Sequence, residues 1–212
     1  MSEEPLLWWL TRSAGLVALL LLTASVVLGV SATRGTPSQR ALVQGVHRWV
    51  SGLALGLVVA HVVTSVADGY VPLSWVDAFV PFRAGYRPLW LGIGTLAVDL
   101  LLAVLLTSLL RSHLQGRHWR RVHVLAYAAW PLSLVHGLGA GTDVRPAVVR
   151  ALTAGCVVAV LLALVSRLGN DARPLRLAVL VLVIGAAGAG LGWALDGPLA
   201  QGWGARAGTW SP

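Results

Sequence analysis

Lysine is absent from the 212 residues, and cysteine occurs once, as Cys156. All sixteen basic side chains are therefore arginine, which excludes a Schiff-base or phosphate-binding lysine. A lone cysteine excludes an intrachain disulfide and any four-cysteine iron–sulfur or zinc site. Charge is scarce as well: 11% of residues are charged and only eight are acidic, against 57% hydrophobic residues and a mean hydropathy of +0.77. A water-soluble domain of ordinary composition is excluded by these figures.

Long apolar runs fill the space that charge leaves. Six are long enough to span a bilayer, at about residues 8–30, 43–66, 88–110, 119–138, 147–167 and 175–195. They predict an all-α fold, a polytopic membrane bundle of six helices forming one domain over residues 1–212, surrounded by lipid. The net charge of +8 follows the topology. One face of such a bundle collects Arg34, Arg40, Arg48, Arg111, Arg117, Arg120, Arg121, Arg167, Arg173 and Arg176 against the single acid Asp171. The positive-inside rule puts that face in the cytoplasm and both termini outside, in an inner or plasma membrane. The basic balance then reflects orientation and predicts no nucleic-acid partner. Residues 14–30 have the apolar length of a signal sequence, but Glu3 and Glu4 precede them, so the first span is read as uncleaved.

Within these spans lie two pairs of histidines, His47 with His61 and His123 with His136, separated by 14 and 13 residues. Each pair covers roughly 20 Å of helix at about 1.5 Å per residue. Ionisable groups at such depth are expensive, and each is a functional candidate. The second and fourth spans run in the same direction, so His47 and His123 share one level and His61 and His136 another. Two imidazoles at each of two levels suit two haems stacked across the membrane between those spans, with His47, His61, His123 and His136 as axial ligands to iron. With both axial positions filled, neither iron keeps an open site, and the chemistry is outer-sphere electron transfer.

Helical phase separates the two pairs. Fourteen residues at about 100° each bring His61 back to the face of His47, whereas thirteen turn His136 by about 220° from His123. Pro131 lies between the latter two and predicts an irregularity near residues 127–132. Thr64, Ser65 and Ser133 are candidate partners for the second ring nitrogens. Arg48, Arg120 and Arg121 are placed for the propionates of the inner haem, and Arg83, Arg87 or Arg145 for the outer one. Interface anchoring is the competing role for every one of these arginines, and Arg12 divides between snorkelling and a propionate contact. His113 and His118 read as solvated. Asp99, mid-span, is read first as a structural hydrogen-bond group and second as a proton relay. Gly185, Gly188 and Gly192 make a close-packing stripe in the sixth span. The 196–212 tail carries no assignable chemistry.

At His47-x13-His61, and along Trp119-Arg-Arg-Val-His123-Val-Leu-Ala-Tyr127 through Pro131 to His136, the chain resembles the ferric reductase-like transmembrane domain family. That family includes the membrane portions of ferric reductases and NADPH oxidases and a methionine-sulfoxide reductase haem subunit. The resemblance covers about residues 8–165. It implies two b-type haems on the four histidines and electron flow from the cytoplasmic side outward, to an acceptor on the outer face. The FAD/NAD(P)H-binding region that many members carry after the last helix has no counterpart here, so flavin would enter only through a partner. A separate flavoprotein reductase or quinol is the expected donor. Two readings from other classes remain open on the residues alone: a proton-coupled small transporter working through Asp99, and a cofactor-free scaffold subunit of a membrane complex.

Overall fold

A computed structural model of the protein describes residues 4–32, 35–69, 71–140 and 146–167, together with Gly192 and Leu195. Among the described residues all regular structure is helical: α1 (Glu4–Ser31), α2 (Pro37–Ala67), α3 (Pro88–Leu109), α4 (Gly116–His123), α5 (Ala126–Ala140) and α6 (Ala147–Arg167). Four of these carry stretches long and apolar enough to cross a membrane: Leu6–Ser31, Pro37–Ala67, Pro88–Leu109 and Ala147–Arg167. The chain is a multi-pass membrane protein. Apart from Gly192 and Leu195, the expected span at 175–195, with Gly185 and Gly188 of its glycine stripe, and the tail lie outside the described residues.

The fourth expected span departs from a single helix. Residues 119–138 divide between α4 and α5, with a turn at Val124–Leu125. Alone, the 15 residues of α5 extend about 22 Å, short of a bilayer core of about 30 Å. The irregularity starts just before the 127–132 window and reaches into it at Tyr127 and Ala128, and Pro131 sits inside α5 without ending it. Short-range hydrogen bonds replace the α-helical pattern at the break: Leu125 N–H donates to Val122 O, Tyr127 to Val124 O and Ala128 to Leu125 O, at 2.9–3.0 Å. Proline six residues into a helix tolerates its missing donor less well than at the first turn, and the chain adjusts upstream of the ring. Each residue in such a tightened stretch advances about 120° instead of about 100°, which alters the phase between His123 and His136.

α2 starts earlier than its apolar run because its N-terminus is capped. Thr36 Oγ1 accepts from Gln39 N–H at 3.3 Å, and Gln39 Oε1 accepts from Thr36 N–H at 2.9 Å. This is a reciprocal capping box, with Pro37 at the first helical position. At 31 residues α2 is about 46 Å long and exceeds a bilayer core.

The chain forms two compact units. One comprises Met1–Leu22 with Gly52–Gly141, the other Thr23–Ser51 with Thr142–Pro212. Within the first unit α3 packs on α5 by interlocking glycines and rings. The Trp90 ring of α3 lies against Gly139 of α5, and the His136 ring of α5 lies against Gly94 of α3. Arg87, buried and left-handed at φ 43°, caps α3 and donates from Nη1 to Gly139 O and Ala140 O, both at 3.1 Å. These are C-terminal carbonyls of α5, where a cation is favoured. Arg87 thereby ties the start of α3 to the end of α5.

The connection from α2 to α3 folds onto α3 as well. The Asp77 carboxylate accepts from Ser74 N–H at 2.8 Å and Ser74 Oγ–H at 2.7 Å, closing a turn, and Asp77 O accepts from Thr95 Oγ1 at 3.0 Å. Trp75, Phe79 and Phe82 remain exposed beside it, as aromatic side chains do at a membrane–water interface.

Candidate functional site

An imidazole that donates from Nδ1 leaves the Nε2 lone pair for a metal, so the Nδ1 partners decide what each histidine is able to do. In the first unit His61 Nδ1 is 2.8 Å from Thr11 O of α1, and His136 Nδ1 is 2.9 Å from Trp90 O of α3. In the second unit His47 Nδ1 is 2.9 Å from Ser25 O of α1, with Ser25 Oγ at 3.4 Å. A carbonyl oxygen only accepts, so each of these contacts fixes the ring with its proton on Nδ1. Three of the four histidines share this arrangement.

Glycine recurs with it. Gly15 lies under the His61 ring, Gly29 under His47 and Gly94 under His136. Each is four residues beyond the carbonyl that its histidine contacts: Thr11 and Gly15, Ser25 and Gly29, Trp90 and Gly94. On α1 the two sets repeat after 14 residues, the separation of His61 from His47. Thr11, Gly15, Ala18, Leu22, Ser25 and Gly29 recur at alternating steps of four and three, as do His47, Ser51, Ala54, Val58, His61 and Ser65. That is the sequence period of left-handed helix packing, in which 14 residues make a whole number of turns.

The rings of His61 and His136 lie 6.2 Å apart between centres in an edge arrangement, with planes at 76°. His123 has a different neighbour: its ring stacks on Trp119 at 4.8 Å and 25°. Arg111 in turn lies over Trp119, its guanidinium carbon 4.6 Å from the ring centre, and Trp119 Nε1–H donates to Ser108 Oγ at 3.4 Å. His47 and His123 fall in different units.

The remaining sequence candidates are placed as follows. Arg48, Arg120 and Arg121 are exposed, and Arg120 Nε–H donates to Gly116 O at 3.3 Å. Of the outer candidates, Arg87 is engaged with the end of α5, Arg83 is exposed and close enough to act on Asp77, and Arg145 lies outside the described residues. Arg12 lies over the Trp8 ring at 3.7 Å. Thr64, Ser65 and Ser133 donate to carbonyls of their own helices, Ala60 and His61, His61, and Ala129 respectively. The groups holding the histidine rings are instead backbone carbonyls of α1 and α3. Side-chain type does not announce a carbonyl, which every residue has; the glycine four residues later is the signal that finds it.

Among the described residues no three His, Cys, Asp or Glu side chains gather as ligands for a bare metal ion. Paired imidazoles suit a different group, an iron whose equatorial ligands come with a porphyrin. A helical membrane protein that brings two imidazoles together, as His61 and His136 are here, has the features of a membrane cytochrome-like module. Residues 14–134 match the ferric reductase like transmembrane component family, and the chain belongs to it. The matched stretch contains His47, His61 and His123 and stops two residues before His136. Membership makes this a membrane electron-transfer module of a kind that generally binds haem. No curated protein and no solved structure matches the chain.

Proposed function

We propose that the protein is a di-haem b-type transmembrane electron-transfer protein, taking electrons from a cytoplasmic or quinol donor and delivering them to an acceptor on the outer face. The observation that carries the reading is the spacing of His61 and His136. A metal–imidazole bond of about 2 Å, with about 1.1 Å from ring nitrogen to ring centre, puts two rings on opposite sides of one metal at about 6 Å. The two rings stand at 6.2 Å. Both are held with Nδ1 on a carbonyl, which leaves the Nε2 lone pair for a metal and would raise the basicity of the ligand.

A bound haem would supply a one-electron ferric/ferrous couple. His61 and His136 are the residues that would hold it. The second pair, His47 with His123, follows from the common direction of the expected second and fourth spans. The exposed arginines Arg48, Arg120 and Arg121 are proposed to neutralise propionates at that level. The arginine-rich loops assign that level to the cytoplasmic face and both termini to the outside. Family members typically pair with a reductase partner. A flavoprotein reductase or quinol is accordingly the proposed donor, and ferric iron, a flavin-bearing protein or a periplasmic reductase the proposed acceptor.

The test is haem quantification on the detergent-purified protein and on single alanine variants of the four histidines. Two haems b per chain are expected, with His61→Ala and His136→Ala removing the same one and His47→Ala and His123→Ala the other. A purified protein that stays colourless after haem supplementation overturns the reading. One haem per chain, lost with His61 or His136 but not with His47, overturns the second site alone.

A further inference from the structure

We propose that Gly94, Gly15 and Gly29 are positioning residues: each lets a histidine ring lie directly on a helix backbone, where a carbonyl one turn earlier fixes its proton and its plane. The inference rests on the haem reading for what the rings bind, and on the contacts alone for how they are held.

The glycines are arranged to matter by unequal amounts. A Cβ on Gly94 would lie 2.5 Å from His136 Nδ1, a separation that real side chains do not adopt. On Gly15 it would lie 3.0 Å from His61 Nδ1 and Cε1, and on Gly29 3.4 Å from His47 Cε1. A methyl at Gly94 must therefore push the imidazole off its carbonyl, a methyl at Gly15 must shift it by a few tenths of an ångström, and one at Gly29 is nearly accommodated. An imidazole moved away from Trp90 O or Thr11 O loses the acceptor that selects the Nδ1–H tautomer, and with it the orientation of Nε2. α1 thus contributes no ligand but sets the aim of two, at Thr11 with Gly15 and at Ser25 with Gly29.

Other glycines serve as internal controls. Gly52 on α2 and Gly137 on α5 have nothing within 4 Å of a Cβ, and they share helices with His61 and His136. Alanine at either adds the same methyl without touching a ring.

The experiment compares Gly94→Ala, Gly15→Ala, Gly29→Ala, Gly52→Ala and Gly137→Ala in the full chain with two readouts. In haem-free protein labelled with 15N-histidine, the ring nitrogen shifts report which nitrogen is protonated. In haem-loaded protein, low-temperature electron paramagnetic resonance and redox titration report axial geometry and midpoint. Gly94→Ala is expected to lose one Nδ1–H signal and to shift or abolish one haem, Gly15→Ala to disturb the same haem less, and Gly29→Ala to leave only a small change at the other. Gly52→Ala and Gly137→Ala are expected to match the parent. Unchanged nitrogen shifts in Gly94→Ala, or equal changes in the controls, overturn the proposal whether or not haem is bound. A parent that binds no haem sinks the functional reading, while the nitrogen shifts still decide this one.

Discussion

The imidazoles of His61 on α2 and His136 on α5 stand 6.2 Å apart with their planes at 76°, each hydrogen-bonded to the backbone of a different neighbouring helix. Four helices converge on that pair: two carry the rings and two, α1 and α3, hold them.

The first prediction concerns that angle. Two axial imidazoles with nearly perpendicular planes leave the iron d orbitals close to degenerate, which gives a strongly anisotropic low-spin ferric resonance. On the proposed function, a haem lost in His61→Ala and His136→Ala is expected to carry such a signal. A rhombic spectrum of the kind produced by parallel planes, assigned to that haem by the same variants, would contradict the geometry.

The packing of α3 on α5 gives a second prediction. Gly139 accommodates the Trp90 ring, and Gly137 faces open space. Gly139→Ala is expected to destabilise the protein by about 1–3 kcal/mol through overpacking. Gly137→Ala should be neutral or stabilise by up to about 1 kcal/mol, the helix-propensity difference. Thermal unfolding in detergent distinguishes the two, and equal melting temperatures would argue against the Trp90–Gly139 contact.

Arg87 supports a third. Its guanidinium bonds two carbonyls at the end of α5, and methionine there would keep the stem while stripping both donors. Hydrogen bonds from a charged donor contribute about 1.5–3 kcal/mol each, and a buried acceptor left bare adds to the loss. Arg87→Met is expected to lower stability by roughly 3 kcal/mol and to speed hydrogen exchange at the end of α5. Exchange unchanged at Gly139 and Ala140 would count against the tie.

The turn before α3 titrates in a predictable direction. Hydrogen bonds from the Ser74 side chain and backbone, followed by the charge of Arg83, hold the Asp77 carboxyl below its ordinary value. A depressed carboxyl contributes stability that is complete above its unfolded pKa and is lost as pH falls through the folded one. The turn should therefore be intact at neutral pH and open only in strong acid, below about pH 4. The Ser74 amide shift in a 15N spectrum reads this directly, with a midpoint expected below that of a free aspartate and raised by Ser74→Ala. A parent midpoint at or above the free value would refute it.

Several features were legible from residues alone, for identifiable reasons. Apolar runs long enough to span declared α1, α3 and α6 almost to their ends and α2 except for its first turns, because a backbone in hydrocarbon must satisfy its own hydrogen bonds. Histidines in such runs stood out because burying them is costly. The boundary at Pro37 was missed by following hydrophobicity, although Thr36-Pro-Ser-Gln39 spelled a capping box. Pro131 signalled a disturbance, and the turn itself falls a few residues upstream, at Val124–Leu125, between α4 and α5, which both pack on α3.

Sequence by itself determined that this chain crosses a membrane several times and carries histidines at spanning depth, since both follow from side-chain solvation residue by residue. Only tertiary structure decided what holds those histidines. The partners of His47, His61 and His136 are carbonyls of Ser25, Thr11 and Trp90, identical in chemistry to every other carbonyl in the chain. They acquire meaning from the glycine beside each of them, where one helix comes near enough for an imidazole to rest on its backbone.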